Sequence, residues 1–88
     1  MNMRKQIIAQ YEDMCIDMDY VLCIPSIHAR YMNEDIVIDY SGKIREKSRH
    51  FPEDKEKSLV EWVEKHEAEI IENHRRCGQG DLPLILIY

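Results

Sequence analysis

The chain has 88 residues, of which 44% are hydrophobic and 33% are charged. A chain of this length buries only about 60–65% of the surface that it exposes when unfolded, so we predict one domain over residues 1–88 with modest stability. The formal net charge of -5 argues against a general nucleic-acid binder, because such proteins concentrate positive charge against phosphates. A local basic patch is compatible with that charge.

The cysteine and hydropathy patterns indicate a soluble intracellular chain. Cys15, Cys23 and Cys77 form no C-x-x-C pair, and their odd number does not suggest a disulfide framework or a zinc knuckle. Thiols of this kind fit a reducing cytoplasm. No apolar run approaches the ~20 residues of a membrane span, and no basic, apolar signal segment opens the chain. We expect a cytoplasmic protein with no membrane partner, no cofactor and no metal.

The first part of the chain has the period of β-structure. The residues Arg4–Tyr11 fit either a helical turn or a strand, and the sequence does not decide between the two. Met14–Tyr20 alternates apolar residues with acidic ones, which is typical of a strand with one face toward water. Val21–Ile24 continues that strand until Pro25, which has no N–H to donate.

The middle of the chain predicts further antiparallel strands. His28–Met32 resumes the extended pattern, and Asn33-Glu34 is a candidate turn before Ile36–Tyr40, whose β-branched residues favour a central strand. Ser41-Gly42 then predicts a hairpin into a last strand over Lys43–Arg49.

That last strand carries basic residues at every second position, which predicts that they share one face. We call this set the basic stripe: Lys43, Arg45, Lys47 and Arg49. Its side chains could bind phosphate oxygens of RNA or carboxylates of a partner protein. A solvated edge strand protected by its charges explains the same pattern.

A single amphipathic helix is predicted from Pro52 to Cys77. Its apolar arc consists of Leu59, Val63, His66, Ile70, His74 and Cys77, with Trp62, Val60 and Ile71 on the flanks. The following tail, Leu82–Tyr88, is apolar on both faces and must be covered, either by the sheet as a short strand or by another subunit. The fold class is therefore α+β: a four- to five-stranded antiparallel meander with the helix across one face.

Several stretches resemble, in order and spacing, a bacterial and archaeal domain of unknown function catalogued as family 4160. They are Met14–Met18, His28–Tyr31, Asp35–Gly42, Phe51-Pro52, Leu59–Trp62 and Ile70–Asn73. The resemblance implies an antiparallel sheet with a helix laid across it. It also implies a setting, because genes of this family often lie in small operons described as toxin–antitoxin pairs.

The resemblance weakens at one turn, where the family has a polar, histidine-containing run ending in His-x-His-Ala. Here Leu22–Ala29 keeps only Pro25 and His28 of that run. A reactive or metal-binding turn in relatives would therefore be largely lost in this chain.

We expect a small binding protein rather than an enzyme, plausible as one member of a toxin–antitoxin-like pair. The basic stripe and the apolar tail would contact a partner protein. A ribonuclease-like toxin is the first alternative, with His28 and Arg30 as candidate catalytic residues, although the acidic charge argues against RNA. A structural homodimer formed through the tail is the second. A purely structural histidine is the favoured interpretation of His28.

Overall fold

The computed structural model describes residues 7–18, 24–81 and 84–86. Five antiparallel strands form an open sheet in the order β1-β2-β3-β4-β5, and two helices follow. The elements are β1 (Ile7–Tyr11), β2 (Met14–Met18), β3 (Ser26–Tyr31), β4 (Glu34–Asp39), β5 (Ile44–Lys47), α1 (Glu53–Lys65) and α2 (Glu67–Gly78). This confirms the α+β meander predicted from the sequence. No helix within these ranges is long and apolar enough to cross a bilayer.

The strand β1 settles the ambiguity at the start of the chain for residues 7–11, whereas residues 4–6 lie outside the described ranges. The predicted strand Met14–Tyr20 is present as β2, and its last two residues and the continuation over residues 21–23 also lie outside those ranges. The hairpin turns at Glu12-Asp13 and Met32-Asn33 have positive φ at both central residues. Turns of that geometry match the twist of the strands they join.

Alternation along the strands gives the sheet one apolar face. The core side chains on this face belong to β2, β3 and β4 and are Met14, Ile16, Met18, Ile27, Ala29, Ile36 and Ile38. The helix α1 packs against β4, and α2 packs against β2 and β3. Leu59, Trp62, Val63 and Ile70 complete the core from the helices, so the predicted apolar arc covers the sheet.

The single predicted helix is divided at His66. The His66 N–H is shared between the carbonyl oxygens of Trp62 and Val63, at 3.0 and 3.1 Å. The His66 Nδ1 also bonds the Trp62 carbonyl oxygen at 2.8 Å, and since a carbonyl only accepts, Nδ1 carries the proton. The His66 backbone departs from helical geometry, with φ −111° and ψ 24°, and its bond to Val63 is of the i−3 kind that tightens the last turn of a helix. After the break Asn73 is fully buried, in place of the predicted His74, which is half-buried.

The described part of the tail is hydrogen-bonded to both the helix α2 and the strand β1. The Asn73 side chain bonds the backbone of Leu84 twice: its Nδ2 donates to the Leu84 carbonyl at 3.1 Å and its Oδ1 accepts from the Leu84 N–H. The Leu86 N–H donates to the Ile8 carbonyl of β1 at 2.7 Å. We call this arrangement the tail clamp. No strand forms within residues 84–86, and the rest of the predicted segment Leu82–Tyr88 lies outside the described ranges.

Candidate functional site

Four polar residues meet on the face of the sheet opposite the helices. Pairing between β2 and β3 sets Asp17 opposite His28, and pairing between β3 and β4 sets Arg30 opposite Asp35. His28 lies between two carboxylates, with Nδ1 at 3.1 Å from Asp17 Oδ1 and Nε2 at 2.7 Å from Asp35 Oδ1. We call Asp17, His28, Arg30 and Asp35 the His28 cluster. The two candidate catalytic residues predicted from the sequence therefore lie in one constellation.

Arg30 shares the carboxylate of Asp35 with His28. Its Nε donates to Asp35 Oδ1 at 3.1 Å, and its Nη2 donates to Oδ2 at 3.5 Å. Burial by itself would raise the pKa of Asp35, but hydrogen bonds from His28 and Arg30 and their positive charge outweigh it and hold the pKa below its ordinary value. Asp35 therefore stays ionised over the whole neutral range.

The chemistry available to the His28 cluster follows from these contacts. Ionised carboxylates only accept hydrogen bonds, so both bonds form together when His28 is a doubly protonated imidazolium. A general base needs an unprotonated nitrogen that reaches its substrate, which here requires Asp35 to withdraw from Nε2. In the observed geometry the cluster acts as an ion network that ties three neighbouring strands together.

The described residues contain no group of three or more His, Cys, Asp or Glu side chains placed to hold a metal ion. Zinc needs imidazole nitrogens within about 2.1 Å of one centre, and His66 instead directs its Nδ1 proton to a backbone carbonyl.

The basic stripe does not share one face as predicted. The pairing register between β4 and β5 shifts at Val37/Ile38, where Ile38 is opposite Ile44 but Val37 is opposite Glu46, so Arg45 is the extra residue of a bulge. A bulge breaks the period of two, which the prediction assumed throughout.

The four basic side chains consequently differ in their partners. Arg45 Nε lies 3.2 Å from Asp39 Oδ2, and Lys47 Nζ lies 2.7 Å from Glu56 Oε1 on α1. Lys43 and Arg49 are exposed and make no ion pair within the ranges that the structure describes. The outer edge of the sheet thus carries two neutralised cations and two that face solvent.

Asp39 is a buried anchor of this edge that the sequence reasoning missed. Its Oδ1 accepts hydrogen bonds from the Ser41 N–H at 2.9 Å, the Ser41 hydroxyl at 2.6 Å and the Lys43 N–H at 3.1 Å. Burial would raise the pKa of Asp39, but these hydrogen bonds and the charge of Arg45 lower it. An Asp two residues before Ser-Gly is a recognised turn signal, so the Asp39–Gly42 sequence could have indicated this role.

Comparison of the chain with protein-family models, with curated proteins and with solved structures found no match. The functional interpretation therefore rests on the geometry of the described residues.

Proposed function

We propose that the protein binds a partner protein through the outer edge of β5, as one member of a toxin–antitoxin-like pair. The observation that carries the proposal is the position of β5, which is last in the strand order and has β4 on one side only. The four residues of the basic stripe lie within seven consecutive positions in and beside β5, in a chain whose net charge is -5. An acidic protein with a local basic edge favours an acidic partner.

Two physical features of β5 support this kind of binding. An edge strand offers backbone N–H and C=O groups with which an extended partner segment can pair. Lys43 and Arg49, which face solvent, could bind carboxylates beside that segment. RNA is a less favourable ligand, because the net negative charge of the chain repels a polyanion beyond the edge itself.

The experiment compares two double variants in co-purification with the product of the adjacent open reading frame. Lys43→Glu with Arg49→Glu reverses the two solvent-facing charges without removing an ion pair among the described residues. We expect this variant to weaken binding by about tenfold, mainly through slower association. Thermal unfolding should be unchanged, because exposed charges contribute little to stability.

The matched variant Lys47→Glu with Glu56→Lys exchanges the partners of an existing ion pair and preserves the pair. We expect it to fold and to bind within about threefold of the wild type, since the net charge of the edge is kept. Equal binding by the wild type and the Lys43/Arg49 variant would contradict the proposal.

RNA cleavage is a second candidate, and the His28 cluster is the observation that favours it. Asp17 orients His28, and the exposed Arg30 beside it could contact a phosphate. Under this hypothesis expression of the protein arrests bacterial growth and His28→Ala relieves the arrest. The exposed His50 supplies the control, because His50→Ala should leave the arrest unchanged. Continued arrest with His28→Ala would exclude a catalytic role for this residue.

Self-association through the tail is the remaining candidate, favoured by the exposure of Ile85, whose surface is 59% accessible between two inward-facing leucines. Ile85→Ser removes this apolar group and leaves the tail clamp intact, because the clamp bonds only backbone groups of the tail. Sedimentation at micromolar concentration would show a dimer in the wild type and a monomer in the variant if the tail mediates dimerisation.

A further inference from the structure

His28 is held by carboxylates from both neighbouring strands. Its Nδ1 lies 3.1 Å from Asp17 Oδ1 and its Nε2 lies 2.7 Å from Asp35 Oδ1. A neutral imidazole has one N–H donor and one bare, accepting nitrogen, so one of these contacts would then place two acceptors face to face. Both contacts are attractive only when the ring carries two protons and a positive charge.

The charged groups around His28 also favour the doubly protonated ring. The helices cover the other face of the sheet, so the groups that face His28 belong to the strands. Among the described residues they are Asp17 on β2, Arg30 on β3, Asp35 on β4 and, beyond Val37 in the same row, Glu46 on β5. Burial opposes the charge, since 16% of the His28 side chain is accessible. Two carboxylates at hydrogen-bond distance outweigh this partial burial, because opposite charges act most strongly at close range.

The two carboxylates differ in how easily they can lose their bond to His28. Asp35 also accepts from Arg30, and its side chain is 37% accessible, so Arg30 and water can replace the imidazole. Asp17 is 14% accessible, and His28 is its one hydrogen-bonding partner within residues 7–18, 24–81 and 84–86. Leaving the less hydrated carboxylate without a donor costs more free energy. A ring with a single proton therefore keeps that proton on Nδ1, facing Asp17.

We propose that the His28 cluster is a proton-operated switch: with two protons His28 ties Asp17 to Asp35 across β3, and on losing one it keeps Asp17 and releases Asp35. The lost proton leaves Nε2 for solvent. Because the folded protein binds this proton more tightly than the unfolded chain, the stabilisation is complete below the ordinary histidine pKa of about 6.5. It is lost as pH rises through the higher pKa of the folded state.

The switch controls which chemistry is open to the cluster. The singly protonated ring presents a bare Nε2 once Asp35 has withdrawn, as a general base requires, whereas the doubly protonated ring has no bare nitrogen. Titration tests the switch without any RNA or partner protein. The switch can therefore fail independently of RNA cleavage and of the binding edge at β5.

The test follows the His28 ring of the full chain by isotope-edited NMR across the neutral and alkaline range, with the urea-unfolded chain as reference. We expect the folded protein to bind the proton about tenfold more tightly than the unfolded chain. Above the midpoint the ring nitrogen signals should place the remaining proton on Nδ1, because bare and protonated nitrogens resonate far apart. A folded-state proton affinity at or below that of the unfolded chain overturns the proposal, and so does a remaining proton on Nε2.

Two variants separate the direct contacts from the general acidity of the chain. Asp17→Asn removes a carboxylate that is bonded to the ring and should weaken proton binding by His28 about tenfold. Glu46→Gln removes an exposed carboxylate of the same row and should change proton binding by less than about twofold. Equal effects of the two variants would overturn the proposal, because net charge would then explain the proton affinity. The wild-type titration remains decisive if Asp17→Asn does not fold.

Discussion

Asp39 shows how one residue can organise an edge of the sheet. Its side chain is only 6% exposed, and Arg45 is the charged group beside it. The same oxygen accepts three hydrogen bonds from Ser41 and Lys43, which fixes the turn that leads into β5. Gly42 completes this turn at φ +91°, where a Cβ atom would also come within 3.1 Å of the Glu64 carboxylate.

The lowered pKa of Asp39 gives its contribution a defined pH dependence. Because the folded state holds this pKa below the ordinary value of about 3.9, the stabilisation is complete above that value and is lost as pH falls through the lower, folded-state pKa. We expect Asp39→Asn to reduce the free energy of unfolding at pH 7 by about 1–2 kcal/mol, the difference between charged and neutral hydrogen bonds. Urea unfolding at pH 7 and at pH 2 measures this.

The difference between Asp39→Asn and the wild type should shrink toward the acid end, because the wild-type carboxylate takes up its proton as pH falls through its lowered pKa. Acid sensitivity should not vanish, since Asp35 also has a lowered pKa. Glu46→Gln, an exposed change on β5, serves as the control and should leave stability within about 0.5 kcal/mol. An Asp39→Asn deficit that is the same size at both pH values would show that the carboxylate charge is not the cause.

At the scale of elements, the strands were predictable and the helix break was not. Period-two alternation over Met14–Met18 determines which face of β2 is buried, and the β-branched run at Ile36–Ile38 indicates a strand buried on both faces. The break at His66 coincides with two local contacts to the residue one turn earlier: the imidazole bonds the Trp62 carbonyl and stacks on the Trp62 ring. No glycine or proline marks the break, so the sequence offers no signal for it.

Asn73 determines how the described part of the tail is held. It follows the buried Ile70 by three residues and so lies on the same face of α2, where its amide bonds both backbone groups of Leu84 as a neighbouring strand would. The sequence predicted that the apolar tail needs cover, and the described residues show that the chain itself supplies part of that cover. The apolar pattern of the tail could not identify a polar side chain as its anchor.

We expect Asn73→Ala to destabilise the fold by about 1–3 kcal/mol, because it leaves the two Leu84 backbone groups without their partners. The amide hydrogen of Leu84 should exchange faster with solvent, and more so than the change in global stability explains. Glu67→Gln, which is exposed on the same helix, is the control. Unchanged exchange at Leu84 in the Asn73 variant would show that the clamp does not hold the tail.

At the scale of the whole molecule, the sequence predicted the layers better than the surfaces. Burial imposes a pattern on core positions, so the fold class and the covered face followed from the hydrophobic period, while the predicted turns indicated the strand order. The contacts of surface side chains depend on the pairing register of the strands. With the bulge at Arg45, that residue pairs with Asp39 while Lys47 pairs with Glu56, so two members of the basic stripe have different partners. His28 and Arg30 lie two residues apart on β3 and therefore share a face, whereas their carboxylate partners Asp17 and Asp35 come from β2 and β4 through strand pairing, which sequence spacing does not indicate.

The proposed binding edge at β5 and the His28 cluster lie in different parts of the sheet. Hydrogen exchange distinguishes the two within one sample, because binding at an edge slows the exchange of amides that were open to solvent. The most direct measurement is residue-resolved exchange of the protein with and without the product of the adjacent open reading frame. We expect slowed exchange at β5 amides over Ile44–Lys47 and no change at His28 or Arg30. Slowing confined to the His28 cluster, with β5 unchanged, would contradict binding through the basic edge.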